Sequence, residues 1–323
     1  MKRRNFIAAA SVVAGMPLAA VAQLGASARI GWIAGYRRQM SQPFVAAVRA
    51  GLSQHGYVEG RNLTIEERYP DDLQQVSVAV EELRRIPVDL FVTQGAATRS
   101  VIENAGPIPV VYVFSADPIE YGLAQSLARP TGNATGITLM MFDLAGKRLE
   151  LLHEILPGLR RVAIVASPDH RGEARERQNA IAVANQLGIE IQYLPARSRA
   201  ELDGRLSELA SGGAEAVDVY PDPVTTGNRE LIIEVATARG IPVISGWAMF
   251  AESGALCTYG PRLSDSYQRT AYYIDRILKG AKPAELPIEQ PTVFDLVINM
   301  KTAKTLGIAI PSAILARSDQ VIE

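Results

Sequence analysis

The chain has 323 residues with 33 basic and 34 acidic side chains, and 48% of its residues are hydrophobic, a length and composition typical of a globular protein with two domains. The near-balanced charge without basic runs argues against a nucleic-acid partner. The single cysteine, Cys257, excludes an internal disulfide, an iron–sulfur cluster and a cysteine-based zinc site, and we expect neither a metal nor a cofactor.

The first 22 residues have the pattern of a secretory signal. Three basic residues precede an apolar run over 6–15, and Ala20-Val21-Ala22 forms a small-x-small cleavage site before Gln23. Cleavage there would leave 30 basic and 34 acidic side chains, a net charge of −4. Ten apolar residues are too few to span a bilayer. We therefore expect an exported periplasmic protein, and the Arg3-Arg4 pair leaves the general secretory and twin-arginine routes open.

From residue 28 onward, short apolar segments alternate with amphipathic helical segments. Strands are predicted over 29–34, 63–68, 88–93 and 109–114. The intervening helices are predicted from two apolar faces at helical spacing, namely Phe44, Val45, Val48 and Leu52, and then Leu73, Val76, Val80 and Leu83. The continuous apolar runs are typical of strands that are buried on both faces of a parallel sheet. This order predicts a doubly wound α/β sheet.

The same order repeats in the second half of the chain. Strands are predicted over 161–166, 189–194, 216–220 and 241–244, with helices over 173–187, 200–209 and 228–239. We interpret the repeat as two similar α/β lobes that close on a ligand. Such a ligand would lie between the carboxyl ends of the two sheets.

Motifs that indicate catalysis are missing from the sequence. It contains no phosphate-binding glycine loop of the G-x-x-x-x-G-K-[ST] type, no G-x-S-x-G and no H-E-x-x-H. His55 and His153 are interpreted as structural residues, whereas His170 follows a strand and can line the cleft. Without a nucleophile–base pair, we expect a binding protein and not an enzyme.

Candidate ligand-binding residues of the first lobe follow its strands. At Gln94, Ala96, Ala97 and Thr98 a strand passes into a helix, whose free backbone N–H groups can bind a carboxylate, or these residues can simply pack together. Ser115 and Asp117 follow the next strand, where Asp117 can bind an ammonium group or cap a helix. Tyr36 lies in the loop after the first strand, and Arg37 or Arg38 beside it can pair with a carboxylate.

The second lobe supplies candidates at corresponding positions. Tyr220 and Asp222 lie in a proline-bounded loop after a strand, and Asp222 offers a negative charge. Trp247 and Tyr259 are each expected to follow a short strand, where an aromatic ring can stack on a ligand or belong to the core. In this hypothesis the ligand carboxylate sits on the N–H groups of 96–98, while the lobe-two residues close over it.

Several segments resemble one protein family. They are residues 117–123, 126–136, 146–152, 254–256, 259–261, 277–283, 286–292, 301–307 and 315–317. Together they resemble ABC transporter substrate-binding proteins of the tryptophan/tyrosine type over essentially the whole of 28–323. The resemblance implies a type I periplasmic-binding fold with three crossovers between its lobes. It also implies that 94–98, 115–118 and 220–223 face the ligand, and that the solute passes to an ABC membrane permease.

We therefore expect two doubly wound parallel-sheet lobes with a ligand cleft between them. Lobe one is predicted to span 28–140 plus 262–290, and lobe two 141–261 plus 291–323. The predicted function is the capture of a small organic solute for uptake, by lobe closure of a monomeric protein. We expect this solute to be an amino acid or another carboxylate-bearing compound, with an aromatic group as one option. A periplasmic sensor that signals to a receptor is the alternative.

Overall fold

The computed structural model describes residues 27–35, 37–70, 72–130, 132–139, 144–170 and 172–323. Its first sheet has five strands: β1 (Ala28–Ala34), β2 (Leu63–Arg68), β3 (Leu90–Gln94), β4 (Val110–Phe114) and β5 (Ala134–Thr138). They lie in the order β2-β1-β3-β4-β5, and every neighbouring pair is parallel. β1 and β3 to β5 are almost entirely buried, as is typical of strands in a parallel sheet that is covered on both faces.

Three helices connect the strands of this sheet: α1 (Arg38–Gln54), α2 (Val76–Arg84) and α3 (Thr98–Asn104). Helix α1 buries Phe44, Val45, Val48 and Leu52, as its apolar spacing predicts. The second predicted face is partly wrong. Leu73 lies in a 3₁₀ turn before α2 and is 52% exposed, because Asp72 accepts a hydrogen bond from the Gln75 N–H and caps this turn separately.

The second sheet has seven strands: β6 (Arg161–Ala166), β7 (Glu190–Pro195), β8 (Ala216–Val219), β9 (Val243–Ser245), β10 (Cys257–Pro261), β11 (Phe294–Asn299) and β12 (Gln320–Ile322). Their order is β12-β11-β10-β9-β8-β6-β7, and only the β10–β11 pair is antiparallel among these described strands.

The helices around this sheet are short or of medium length. They are α4 (Leu144–Ile155), α5 (Glu173–Leu187), α6 (Arg199–Ser211), α7 (Pro223–Gly227), α8 (Arg229–Thr237), α9 (Ala248–Glu252), α11 (Met300–Leu306) and α12 (Ser312–Ala316). Each predicted strand and helix of the second half has a counterpart within about two residues at its ends, and α5 matches the predicted bounds. The two-lobed α/β architecture with parallel sheets is therefore confirmed.

The chain passes between the lobes three times. It leaves the first sheet after β5, and after β10 it returns as α10 (Leu263–Leu278), which packs along α1. There a Cβ atom on Gly51 would overlap the carbonyl oxygen of Gln268, so the two helices meet without a side chain between them. Glu289 then forms a bridge with Ile137 beside β5 before the chain enters β11. The lobe boundaries given above remain a prediction, and the packing of α10 along α1 supports them.

Among the described residues, no helix is long and apolar enough to cross a membrane.

Candidate ligand-binding cleft

A groove of about 1500 Å³ lies between the two lobes. Its lobe-one wall comes from the loops after β1 and β2 and from the first turns of α1. Its lobe-two wall comes from the loop after β8 and from α7 to α9, and the crossover after β10 closes one end. The walls are thus built at the carboxyl ends of the strands of both sheets, where ligands of α/β proteins bind.

The lobe-one wall is mostly apolar and contains one arginine. Met40, Phe44 and Tyr69 contribute apolar and aromatic surface to it. The exposed Arg37 also lines the groove, and its side chain forms no ion pair with another described residue. The neighbouring Arg38 is already engaged, because its guanidinium lies 3.1 Å from the Glu67 carboxylate and 5.5 Å from the centre of the Tyr69 ring.

Glu67 organises the charged and polar side chains behind this wall. Its carboxylate accepts hydrogen bonds from Arg49 at 2.7 Å, from the Tyr69 hydroxyl at 2.8 Å and from Gln42 at 3.2 Å. Burial raises the pKa of Glu67, but these donors outweigh burial and lower the pKa below its usual value. Burial and the neighbouring Glu67 carboxylate raise the pKa of the Tyr69 hydroxyl. Glu67 therefore stays charged and holds the Tyr69 ring against the groove.

The lobe-two wall carries charge of the opposite sign as well as apolar groups. Met249 and Glu252 reach the groove from α9, and Glu252 forms no ion pair with another described residue. Arg229 also lines the groove, but its guanidinium donates to Ser253 Oγ at 2.9 Å and to the Thr226 carbonyl at 3.0 Å. The unengaged charges of the two walls are thus an arginine from lobe one and a glutamate from lobe two, within the part of the chain that the structure describes.

The predicted site residues at 94–98 differ strongly in exposure. Gln94 is buried, where its Nε2 donates to Ser41 Oγ at 3.0 Å and its Oε1 accepts from the Tyr267 hydroxyl. It therefore links the end of β3 to α1 and α10. Ala97 and Thr98 are buried as well, and Ala96 is exposed.

The backbone at 95–97 lies next to the loop that carries Arg37. It forms the predicted start of a helix as a 3₁₀ turn that leads into α3. A Cβ atom on Gly35 would lie 3.7 Å from the backbone nitrogen of Ala97. The loops after β1 and β3 therefore meet at the same edge of the sheet.

Ser115 and Asp117 lie where the two lobes contact each other. Ser115 Oγ is 2.9 Å from His170 Nε2 of lobe two, and burial lowers the pKa of His170 to about 4, so its ring is neutral at pH 7. Asp117 accepts a hydrogen bond from the Ile119 N–H at 2.8 Å in a turn and does not cap a helix, and its other oxygen lies 3.5 Å from Arg175 of lobe two.

Tyr220 and Asp222 have structural partners within lobe two. Asp222 caps α7 and accepts hydrogen bonds from the N–H groups of Val224 at 2.6 Å, Ser167 at 3.0 Å and Thr225 at 3.1 Å. Burial raises its pKa to about 6 against these donors. The ring of Tyr220 is 2% exposed and lies 5.1 Å from the guanidinium carbon of Arg148. Neither side chain lines the groove, so their contact with a ligand stays a prediction.

The two aromatic candidates are placed differently from each other. Trp247 follows β9 as expected, and it is 4% exposed at the start of α9. The expectation that Tyr259 follows a strand is wrong, because Tyr259 lies inside β10 and packs against Phe294 at a ring distance of 6.4 Å. The antiparallel pairing with β11 extends β10 to Pro261. Tyr36 lies outside the described residues.

Comparison with known proteins identifies the family. The model of the ABC transporter substrate binding protein family matches residues 41–322. The chain belongs to this family.

This substrate-binding protein is similar to one curated relative and to several solved structures. It is 22% identical to a tyrosine-binding protein of Clostridioides difficile, over 79% of this chain and 74% of the relative. A conserved domain protein of Vibrio cholerae has a TM-score of 0.84 and 24% identity, over 91% of this chain and 99% of that one. An ABC domain of Streptococcus pneumonia in complex with L-Trp has a TM-score of 0.83 and 23% identity, over 92% and 100%. The predicted family and type I periplasmic-binding fold are thereby confirmed.

Several residues of the groove of this substrate-binding protein were not predicted. They are Met40, Phe44, Tyr69, Met249 and Glu252. Met249 and Glu252 lie within five residues of Trp247, so the short helix after β9 was a usable signal. Phe44 was assigned to the core face of α1, and it serves both surfaces, because it also stacks on Tyr267 at 4.3 Å. Within the described ranges no cluster of three His, Cys, Asp or Glu residues can hold a metal ion.

Proposed function

We propose that this substrate-binding protein captures an amino acid with an apolar or aromatic side chain and delivers it to an ABC membrane permease. The observation that carries the proposal is the pair of unengaged, opposite charges on opposite walls of one groove, Arg37 and Glu252. An amino acid carries a carboxylate and an ammonium group, so it can bridge these two walls.

The carboxylate is proposed to bind at the edge where the loops after β1 and β3 meet. The guanidinium of Arg37 can donate two parallel hydrogen bonds to a carboxylate. The backbone N–H groups at 95–97 begin a helical segment and have no partner within it. Because Gly35 brings the two loops together, one carboxylate can receive both kinds of donor.

The rest of the solute would lie along the apolar part of both walls. Phe44 and Tyr69 offer ring faces from lobe one, and Met249 offers a flexible thioether from lobe two. Aromatic and apolar solutes fit this lining. The tyrosine-binding relative and the L-Trp complex support the same solute class.

Closure of the lobes would convert binding into a signal that the permease can recognise. A ligand shifts a two-state protein only through contacts that differ between the states. Contacts to both walls form together only when the lobes are close, and so a ligand that bridges Arg37 and Glu252 would favour the closed state. Tyr220, Asp222 and Trp247 would shape the lobe-two side from behind its surface. The protein is proposed to work as a monomer in the periplasm, without turnover, after removal of residues 1–22.

Calorimetric titration of residues 23–323 tests this function. L-tryptophan and L-tyrosine are compared with indole-3-propionate, which lacks the amine, and with tryptamine, which lacks the carboxylate. We expect saturable binding of an amino acid and a loss of at least tenfold in affinity for either truncated compound. Equal affinity for the truncated compounds, or loss of the ligand with formation of a product, would contradict the proposal.

A further inference from the structure

Lobe two contains a fully buried ionic cluster apart from the groove. Arg148 of α4 donates from Nη2 to Glu176 of α5 and from Nε to Asp218 of β8, both at 2.8 Å. The three side chains are 0–2% exposed. Removing charges from water is costly unless they are well paired. This pairing is incomplete, because Arg148 Nη1, Asp218 Oδ2 and the Tyr220 hydroxyl are buried without a hydrogen-bond partner.

The cluster has one cation and two carboxylates. Burial is the largest influence on Glu176 and raises its pKa to about 7, while Arg148 opposes the rise. The charged or titratable groups that face Glu176 are Arg148 from α4, Asp218 from β8, Tyr220 after β8 and Glu173 from its own helix. Cys257 of β10 faces Asp218, and burial raises its pKa above the neutral range. Glu173 is itself paired with Arg177 at 2.7 Å.

The first turn of α5 also carries the contact between the lobes. His170, just before the helix, is 2.9 Å from Ser115 Oγ of lobe one. Arg175, next to Glu176, lies 2.5 Å from Glu120 and 3.5 Å from Asp117 of lobe one. One face of this turn is thus anchored in the lobe-two core, and the other contacts the lobe-one segment 115–120.

We propose that Glu176 and Arg148 are positioning residues for lobe closure, which hold the first turn of α5 where His170 and Arg175 dock on residues 115–120 of lobe one. An ionised Glu176 forms a charge-assisted hydrogen bond with Arg148, which is stronger than the bond of a neutral carboxyl group. Protonation of Glu176 therefore loosens the anchor of α5. Docking of the lobes becomes weaker as the pH falls through the neutral range.

The contact between the first turn of α5 and residues 115–120 joins the two lobes, so weakening this contact destabilises the closed state. The exposed ion pairs of Arg175 contribute little by themselves. The Ser115–His170 contact is partly buried, and it forms only when its two partners are held in place. A small displacement of the first turn of α5 separates this pair, because hydrogen bonds weaken steeply with distance and angle.

Spin-label distances between the lobes test the proposal without a ligand. Labels are placed through Ala128→Cys in lobe one and Gln178→Cys on α5, both exposed positions, and the buried Cys257 remains unlabelled. In the otherwise unchanged protein we expect a short, narrow distance distribution at pH 8 and a longer, broader one at pH 5.5. Glu176→Gln should give the pH 5.5 distribution at both pH values.

Two further variants separate positioning from a general structural effect. Arg175→Ala removes docking contacts but leaves the cluster intact, so it should lengthen the distance at pH 8 and retain part of the pH response. Glu173→Gln alters the same helical turn without touching Arg148, so it should retain the response. Its midpoint should move to lower pH, because the Glu173 charge helps to raise the pKa of Glu176. Glu176→Gln should fold, because it leaves Arg148 paired with Asp218, and circular dichroism checks this.

Two results would overturn the proposal. One is an unchanged distance distribution between pH 8 and pH 5.5. The other is a pH response that persists in Glu176→Gln, which would assign it to another group such as Asp222. The proposal rests on the lobe closure of the proposed function, but its readout needs no solute. Failure of amino-acid binding and failure of the Glu176 mechanism are therefore distinguishable.

Discussion

The two lobes share one architecture but bury different polar networks. In lobe one, Ser41, Gln94 and Tyr267 form a neutral chain of hydrogen bonds that links α1, the end of β3 and α10. In lobe two, Arg148, Glu176 and Asp218 form an ionic cluster between α4, α5 and β8. A neutral network keeps its hydrogen bonds across the physiological pH range, whereas an ionic one changes with each proton it binds. The comparison suggests a fixed lobe and a titratable lobe.

The helices that cover the two sheets also meet differently. In lobe one, Gly51 of α1 lies against the backbone of α10, a helix that enters this lobe only after the second crossover. In lobe two, α4 and α5 are consecutive, and Gly146 of α4 donates its N–H to Asn179 of α5 at 2.8 Å. Lobe one is thus closed by a chain segment from beyond the hinge, whereas the corresponding helix pair of lobe two is local.

The largest expected effect is on the ionic cluster. Arg148→Met leaves Glu176 and Asp218 buried without a cation, which should lower the free energy of unfolding of lobe two by about 3–5 kcal/mol at pH 8. The loss should be smaller at pH 5.5, where these carboxyl groups can be protonated. Urea unfolding followed by Trp247 fluorescence in a Trp32→Phe background measures it. Arg205→Met, at an exposed pair with Glu208, is the control with little effect. Equal losses of unfolding free energy in Arg148→Met and Arg205→Met would contradict a special role for the buried ionic cluster.

The next effect separates two adjacent arginines on the lobe-one wall. A hydrogen bond to a charged group is worth about 1.5–3 kcal/mol, so Arg37→Ala should weaken amino-acid binding by tens of times. Arg38→Ala should have a smaller effect, because Arg38 is paired with Glu67 and acts on the groove through Tyr69. Titration calorimetry compares them. If Arg38→Ala lost more affinity than Arg37→Ala, the proposal that the ligand carboxylate binds at Arg37 would be wrong.

Helix packing in lobe one gives a further prediction. A Cβ atom on Gly51 would overlap the Gln268 carbonyl, so Gly51→Ala should destabilise lobe one by about 1–3 kcal/mol. A Cβ atom on Gly204 of α6 would have no neighbour within 4 Å, so Gly204→Ala should stabilise its helix by about 1 kcal/mol. Trp32 fluorescence in a Trp247→Phe background follows lobe one. If Gly51→Ala left the free energy of unfolding unchanged, α10 could move away from α1 without a loss of stability.

The smallest effect is the pH dependence of stability, and it should differ between the lobes. The pKa of Glu176 rises to about 7 in the folded protein, so between pH 4.5 and 7 the folded state binds more protons than the unfolded one. The stability of lobe two should therefore fall as the pH rises through this window, and the raised pKa of Asp222 acts in the same direction. In lobe one the pKa values of Glu67 and Glu289 are lowered, so their contribution is lost only at more acidic pH. If the stabilities followed by Trp32 and by Trp247 changed with pH in the same way, the proposed difference between the two lobes would be wrong.

The sequence predicted the local elements well, since they depend on short-range patterns. The strand over 63–68 and the helix over 173–187 have the predicted bounds, because their alternation and helical spacing agree with their environment. Tyr259 was misplaced because its strand is extended by pairing with β11, more than 30 residues later. Leu73 was misplaced because a local cap at Asp72 overrides the apolar spacing.

The candidate site was less predictable than the fold. Sequence order placed the candidates at the carboxyl ends of strands, and the walls of the groove do lie there. It could not distinguish Arg37 from Arg38, since the partner of Arg38 is Glu67, on a neighbouring strand. Nor could it show that Ser115 meets His170, because that contact depends on how the two lobes face each other.

The sequence alone therefore determined the family and the two α/β lobes, because these follow from local pattern and motif. The export signal at 1–22 stays a prediction. The tertiary structure alone decided which charges remain unengaged in the groove and which are buried in pairs. Arg37, Glu252 and Arg148 are indistinguishable as charged residues in a sequence. They differ because partners distant in the chain pair with Arg148, whereas Arg37 and Glu252 line the groove without an ion pair to another described residue.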